Sequence, residues 1–316
     1  MNRTTCPLCC GRSLTSRESI PSGHLARIYQ DQLGVEVSGM FASLPLIEYL
    51  ACDECGLHFF HPPVTGSDAF YRQLMERFDW YYADDKWEFR TAAKLVQPGD
   101  SVLEVGCGRG HFATKIACGR YVGLETSAAA IERTVDDRNA LFNETIEKHS
   151  EKYTAAYDLV CSFQVVEHVA DPGKFIKACV RALKPGGLLI LSTPSMESFV
   201  DMLVNDSLNL PPHHLSRWPE RAWRSLERLF PLVLERMDYE PLQEVHYRHY
   251  SRGVAVALAR ELVGAASGRV TDLSPEHEAA LAMAEKFSDA ALKVLADQRL
   301  RPARGHTVLA VYRRSR

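Results

Sequence analysis

The chain has 316 residues, 46% of them hydrophobic, enough for one large α/β domain with an accessory module. A formal net charge of −3 and an isoelectric point near 6.5 show no basic excess, which disfavours a nucleic-acid partner. No stretch approaches the ~18 uncharged apolar residues of a membrane span, and the first residues lack the apolar core of a secretory signal. A cytoplasmic setting is therefore expected, and in it nine cysteines read as thiols or metal ligands, not disulfides.

Two C-x-x-C pairs come first, Cys6-Pro7-Leu8-Cys9 and Cys52-Asp53-Glu54-Cys55, each followed by glycine within two residues (Gly11, Gly56). Such a knuckle presents two thiolates from one tight turn, and two knuckles make the closed tetrahedral set of a structural Zn2+ site. Cys6, Cys9, Cys52 and Cys55 are the expected ligands, with Cys10 competing for the place of Cys9. The plainer alternative is a set of unrelated reduced thiols. Four thiolates leave no open position, so this metal would fold the module and do no chemistry. The 42 residues between the pairs exceed ribbon spacing and imply an insertion. Short strands are expected at 46–50 and 57–60, and His61-Pro62-Pro63 ends a module spanning 1–65. Residues 66–98 form an aromatic, charged linker with a helix over 87–96, stopped by Pro98-Gly99. Either it packs its rings on the next domain or it caps a ligand with Tyr82 or Trp87.

Next comes the stretch Val102-Leu103-Glu104-Val105-Gly106-Cys107-Gly108-Arg109-Gly110. The apolar run reads as a buried parallel strand. The alternating glycines read as a loop that admits positive φ or a close ligand, at the sheet edge where α/β folds bind ligands. A helix is expected over 112–118, then a strand at 121–124 ending in Glu125, placed to accept ribose hydroxyls. Dinucleotide loops space their glycines as G-x-G-x-x-G to seat pyrophosphate. Here the spacing is Gly106-x-Gly108-x-Gly110 with Glu104 beside it, which suits a cationic nucleoside without phosphate.

Residues 104–110 resemble motif I of the class I S-adenosylmethionine-dependent methyltransferases, and the resemblance continues in order to about residue 200. Val122 to Ser127 is similar to that family's second strand with its ribose-binding acid. Thr145-Ile146-Glu147 falls where the adenine is contacted. Tyr157 to Val169 resembles the fourth strand and its turn, and 188–192 the fifth strand. The resemblance implies S-adenosyl-L-methionine held by Glu104, Gly106, Cys107, Gly108, Gly110, Glu125, Thr126, Thr145, Ile146, Gln164 and His168. It implies an α/β, Rossmann-like, seven-stranded, mostly parallel sheet whose last strand is antiparallel. The cysteine front end resembles the zinc-binding N-terminus of some sugar C-methyltransferases and of one group of ribosomal-RNA guanine methyltransferases.

Strands six and seven are expected at 232–237 and 306–312. The core thus spans 99–246 and 302–316, with a helical insertion over 247–301 as substrate cap or dimer surface. Pro211-Pro212-His213-His214 follows strand five and resembles a segment of many small-molecule methyltransferases. Histidine is the natural base near neutral pH, so His213 and His214 are the first candidates for the catalytic base and His246 the next. The plain reading has one of them capping the following helix. A small-molecule acceptor is expected, with O-, N- and C-transfer all open. Competing readings are a zinc-module-guided RNA base methyltransferase and a non-catalytic protein that keeps the fold. The DNA amino-methylation signature is missing after strand four, where Ser162-Phe163-Gln164 stands.

Overall fold

A computed structural model describes residues 4–78, 84–132, 134–135, 140–295 and 304–316. In chain order, the N-terminal part holds β1 (Leu14–Pro21), α1 (Ser22–Leu33), β2 (Leu46–Cys52), β3 (His58–His61), α2 (Asp68–Arg77) and α3 (Trp87–Ala93). Then follow β4 (Ser101–Val105), β5 (Arg120–Leu124), α4 (Ala128–Ile131), β6 (Ala140–Phe142), α5 (Ile146–Lys152) and β7 (Tyr157–Phe163). The remainder is α6 (Pro172–Ala182), β8 (Leu183–Pro194), β9 (Ser216–Arg217), α7 (Glu220–Leu229), β10 (Leu232–Pro241), α8 (Tyr247–Val263), α9 (Pro275–Leu295) and β11 (Arg304–Arg314).

The larger sheet runs β10-β11-β8-β7-β4-β5-β6. β4 to β8 are mutually parallel, and β11 inserts between β8 and β10, antiparallel to both. This is the expected Rossmann-like fold. Its central strands are apolar on both faces because helices cover both faces: Val102, Leu103, Leu159, Val160, Leu189 and Ile190 are all buried. α6 starts where Asp171 accepts the Lys174 N–H at 2.9 Å and Pro172 sits at its first position.

The helix expected over 112–118 is only a 3-10 turn, Phe112–Lys115. Ile116 is already extended, and the amides of Gly119 and Arg120 return to the Asp100 carbonyl. The nine residues between Gly110 and Arg120 cannot hold a longer helix and still make that return.

A second, antiparallel sheet runs β1-β2-β3-β9. Its last strand belongs to the segment just after His213-His214, so the cysteine module is joined to that segment through β3 and β9. The insertion between the cysteine pairs is β1, α1 and most of β2. Cys6, Leu8, Cys52, Cys55 and Leu57 share one core cluster with Val105, Phe175 and Trp223 of the larger sheet and its helices. α8 and α9 pack on each other through Ala255, Val256, Ala259, Ala280 and Ala284. Arg260 and Asp272 form a buried ion pair at 2.8 Å beside them. No described helix is long and apolar enough to cross a membrane.

Candidate active site

β4 delivers the glycine loop to the carboxyl edge of the sheet. Gly106, Gly108 and Gly110 have φ of +74°, +54° and +79°, the region that favours glycine. The amides of Gly106 and Cys107 both donate to the Leu124 carbonyl, at 2.8 and 3.0 Å. A Cβ on Gly106 would lie 2.4 Å from Val165 Cγ2, so the loop is pressed against the turn after β7. Cys107 is buried against Gly123.

Two carboxylates flank the loop. Glu104 is 2% exposed, and burial pushes its pKa up to about 8, partly offset by the hydroxyl of Tyr121, which donates to it, and by the charge of Lys86. Glu125, at the end of β5, accepts the Gly108 N–H at 2.9 Å and the Ser127 N–H at 2.8 Å. That ties strand end and loop together. The carbonyl of Thr126 accepts from Asn143 Nδ2 at 3.0 Å, a neighbour that sequence reading passed over.

The other expected cofactor residues are distributed around this edge. Thr145 caps α5, and Ile146 is buried behind it. Gln164 takes a left-handed backbone at φ +56°, unusual for a non-glycine residue and frequent at functional sites. Its Nε2 lies 3.3 Å from both Glu88 Oε1 and Thr307 Oγ1. Trp87 opens α3 and packs on the cluster of Phe89, Phe112 and Phe163. Tyr82 lies outside the described residues.

The cysteine knuckles meet as expected. Cys6 and Cys55 Sγ are 3.5 Å apart and Cys9 and Cys52 Sγ 3.6 Å apart, with all four sulfurs within 4.8 Å of one another. The hydrogen bond shared with Cys55 draws the Cys6 pKa down to about 6, while burial pushes Cys9 up to about 12. The competition between Cys9 and Cys10 is resolved by backbone geometry. Cys10 N donates to Cys6 O and Gly56 N to Cys52 O, at 2.9 and 2.8 Å. Both residues are left-handed, at φ +59° and +86°. Cys10 therefore occupies the turn position that Gly56 fills in the other knuckle, and its side chain is exposed. Cys10→Gly is expected to stabilise the protein by about 1 kcal/mol by removing left-handed strain, measured by urea unfolding.

The third assembly gathers the turn after β7 and the Pro-Pro-His-His segment. His213 and His214 are stacked, with ring centroids 4.6 Å apart, and His168 stands edge-on to both at 4.5 and 4.7 Å. Burial lowers His168 to about 4 and holds His213 and His214 well below the usual imidazole range. Each ring has Nδ1 against an acceptor: His168 on His213 O at 2.7 Å, His213 on Leu208 O at 2.9 Å, His214 on Asn209 Oδ1 at 3.2 Å. Tyr29 of α1 holds the turn, its hydroxyl donating to Leu210 O at 2.8 Å and accepting from His213 N at 3.3 Å. Tyr71 of α2 lies beside His168 and His213.

Glu167, which sequence reading left unassigned, is 1% exposed among these histidines. Its Oε1 is 3.8 Å from His168 Nε2 and 3.9 Å from His214 Nε2. The available signal was a glutamate beside a histidine in the turn after the largely buried strand β7. His246 does not join this group. It lies 5.3 Å from the His306 ring and 4.0 Å from Glu240 Oε2, at the entry to α8.

Residues 75–230 match the family described as "Methyltransferase domain". The chain carries a methyltransferase domain. Among curated relatives it is 37% identical over 103 residues to the ubiquinone biosynthesis O-methyltransferase of Sodalis glossinidius, covering 30% of this chain and 41% of that protein. It is 36% identical over 144 residues to a Mycolicibacterium smegmatis protein named "Probable S-adenosylmethionine-dependent methyltransferase", covering 43% and 53%. The chain thus spans about half the length, or less, of these relatives. Among solved structures, a SAM-dependent methyltransferase from Archaeoglobus fulgidus aligns with a TM-score of 0.47 at 16% identity, covering 77% of this chain and 99% of that one. The glycine loop, the turn after β7 and the histidine pair all fall inside the matched domain; His246, α8 and α9 lie beyond it.

Proposed function

We infer that the protein transfers a methyl group from S-adenosyl-L-methionine to an oxygen of a small molecule, and that Zn2+ on Cys6, Cys9, Cys52 and Cys55 supports the fold. One observation carries the reading. Adjacent parallel strands β4 and β7 end in a glycine loop with a buried carboxylate, Glu104, and in a turn whose His168 meets His213 and His214.

Glu104 fits a cationic ligand because burial raises its pKa to about 8 and an adjoining positive charge would favour its ionised form. Gly106, Gly108 and Gly110 let the backbone approach that ligand, with Cys107 behind them. Glu125, Thr126 and Gln164 lie around the loop, with Thr145 and Ile146 at the start of α5. When bound, the cofactor supplies an electrophilic methyl whose leaving group is a neutral thioether, so no acid is required at sulfur. The chain's own work is alignment, which can contribute about 7–11 kcal/mol, and exclusion of water.

The acceptor hydroxyl is assigned to the face formed by Glu167, His168, His213 and His214. An oxygen acceptor agrees with relatives named as O-methyltransferases. The net charge and the enclosed histidine face support a metabolite over RNA. α8 and α9 serve this reading as a cap over the site or as a dimer surface.

The test is label transfer from methyl-labelled cofactor to a panel of phenols, catechols and sugars, with RNA in parallel. Transfer to a hydroxyl compound supports the reading, and transfer to RNA alone overturns it. His214→Gln should lower turnover by about 10²–10⁴-fold while the affinity for S-adenosylhomocysteine stays as in the parent. Unchanged turnover would remove His214 from the acceptor face.

A further inference from the structure

A second polar group meets at Gln164, and the functional reading leaves most of it unused. Distant parts of the chain supply it: Glu88 in the first turn of α3, Gln164 after β7, Glu240 near the end of β10, His246 just before α8, and His306-Thr307 on β11. Gln164 Nε2 lies 3.3 Å from both Glu88 Oε1 and Thr307 Oγ1. The Thr307 N–H donates to Glu240 Oε2 at 3.1 Å. The floor is buried and the rim is open. Glu88 and Glu240 are 3% and 4% exposed, while Gln164, His246 and His306 are half-buried.

The charges of this group do not balance. Burial lowers both histidines, His306 to about 3, so both rings are neutral at pH 7. Burial, with the neighbouring Glu88 carboxylate, raises Glu240 to about 7. The nearest basic atom to Glu240 is His246 Nδ1, at 4.0 Å from Oε2. That nitrogen is itself buried and has no hydrogen-bond partner among the described residues. Two buried carboxylates and a free imidazole nitrogen therefore lack a cation that carries its own N–H donors. These atoms do not form one of the mutually close sets that could hold a metal ion among the described residues. An ammonium tolerates the wider spacing, because its acceptors stand about 2.7–2.9 Å away, against about 2.0–2.2 Å for ligands of a metal ion.

The group also borders the acceptor face. Thr307 pairs with Pro194 of β8, and Pro194 and His214 line one cavity. We propose that the acceptor carries a protonated amine, which Glu88, Glu240 and His246 bind while its hydroxyl meets the histidine face. The ammonium donates to the two carboxylates and to the lone pair of His246 Nδ1. The proposal rests on the functional reading above for the methyl transfer, but the binding can be measured without it.

The experiment is calorimetric titration of the full-length protein, saturated with S-adenosylhomocysteine, with matched pairs: tyramine against 4-ethylphenol, and dopamine against 4-ethylcatechol. The amine of each pair should bind about tenfold or more tightly, as expected for hydrogen bonds to a charged group. Glu240→Gln and Glu88→Gln should each bring that ratio towards one. Affinity of Glu240→Gln for S-adenosylhomocysteine should stay at the parent level, which also shows that the variant is folded. In turnover, its loss should fall on the KM for the amine and not on kcat. Equal or weaker binding of the amines by the parent overturns the proposal, as does a ratio that survives both substitutions. A loss of cofactor affinity in Glu240→Gln with the ratio intact would assign that carboxylate to the cofactor and overturn it too. Amine-selective binding that depends on Glu240, with no methyl transfer to any compound, would uphold this site and sink the functional reading instead.

Discussion

Gly106→Ala is expected to lower the affinity for S-adenosylhomocysteine by about 30-fold or more, taking roughly tenfold per 1.4 kcal/mol. Two separate costs add. At φ +74° a side chain brings about 1–2 kcal/mol of left-handed strain. The new methyl would also sit 2.4 Å from Val165 Cγ2, and such overpacking costs about 1–3 kcal/mol. The loop can escape only by leaving the Leu124 carbonyl, which anchors two of its amides. Adding Val165→Ala should recover the packing share and leave the backbone share. Calorimetric titration of the single and double variants measures both. Parent-like affinity in Gly106→Ala would show that the loop does not hold the cofactor.

Cys52→Ala should destabilise the whole chain, with a single thermal transition moved to lower temperature and loss of the knuckle metal. Closed thiolate sites contribute about 10–16 kcal/mol of apparent binding free energy in isolated zinc fingers, so loss of one ligand should cost on the order of several kcal/mol here. The effect should not stay local. Cys52 and Cys55 share a core cluster with Phe175 of α6 and Trp223 of α7, and the amide of Gly173 donates to Pro7 O at 3.2 Å. The sheet that begins at the knuckles ends at β9, next to the histidine pair. Scanning calorimetry with metal analysis checks this. A parent-like main transition with a separate, early-melting segment would contradict it.

The glycine loop and the strand beside it were legible because β4 and β5 each carry a short apolar run followed by a glycine or an acid, Gly106 and Glu125, whereas β6 (Ala140–Phe142) carries no such signal and was not anticipated. The four thiols were legible from spacing alone. What failed was local length and long-range contact. The helix expected after Phe112 collapsed to one turn because the chain had to return to Asp100, which the apolar pattern does not record. The hold of Tyr29 on His213 joins residues 184 apart in sequence, and no period or motif announces such a pairing. Glu167 was passed over because a glutamate in a turn normally faces water. Only the buried turn after β7 shows that this one does not. His246 was grouped with His213 and His214 by residue type, yet its partners are His306 and Glu240.

The central claim is that Glu104 and the glycine loop bind a cationic cofactor, and its titration at pH 7 tests that most directly. In the ligand-free protein Glu104 is raised from 4.5 to about 8. It is therefore mostly protonated at pH 7, and its burial destabilises the empty fold increasingly as the pH rises from the unfolded value through about 8. A bound ammonium lowers that pKa and expels the proton. Affinity should then rise with pH up to about 8, by at most about tenfold per unit for one linked proton. Calorimetric titration with S-adenosylhomocysteine in two buffers of different ionisation enthalpy should show binding with proton release; no heat at millimolar ligand in either buffer would contradict the account.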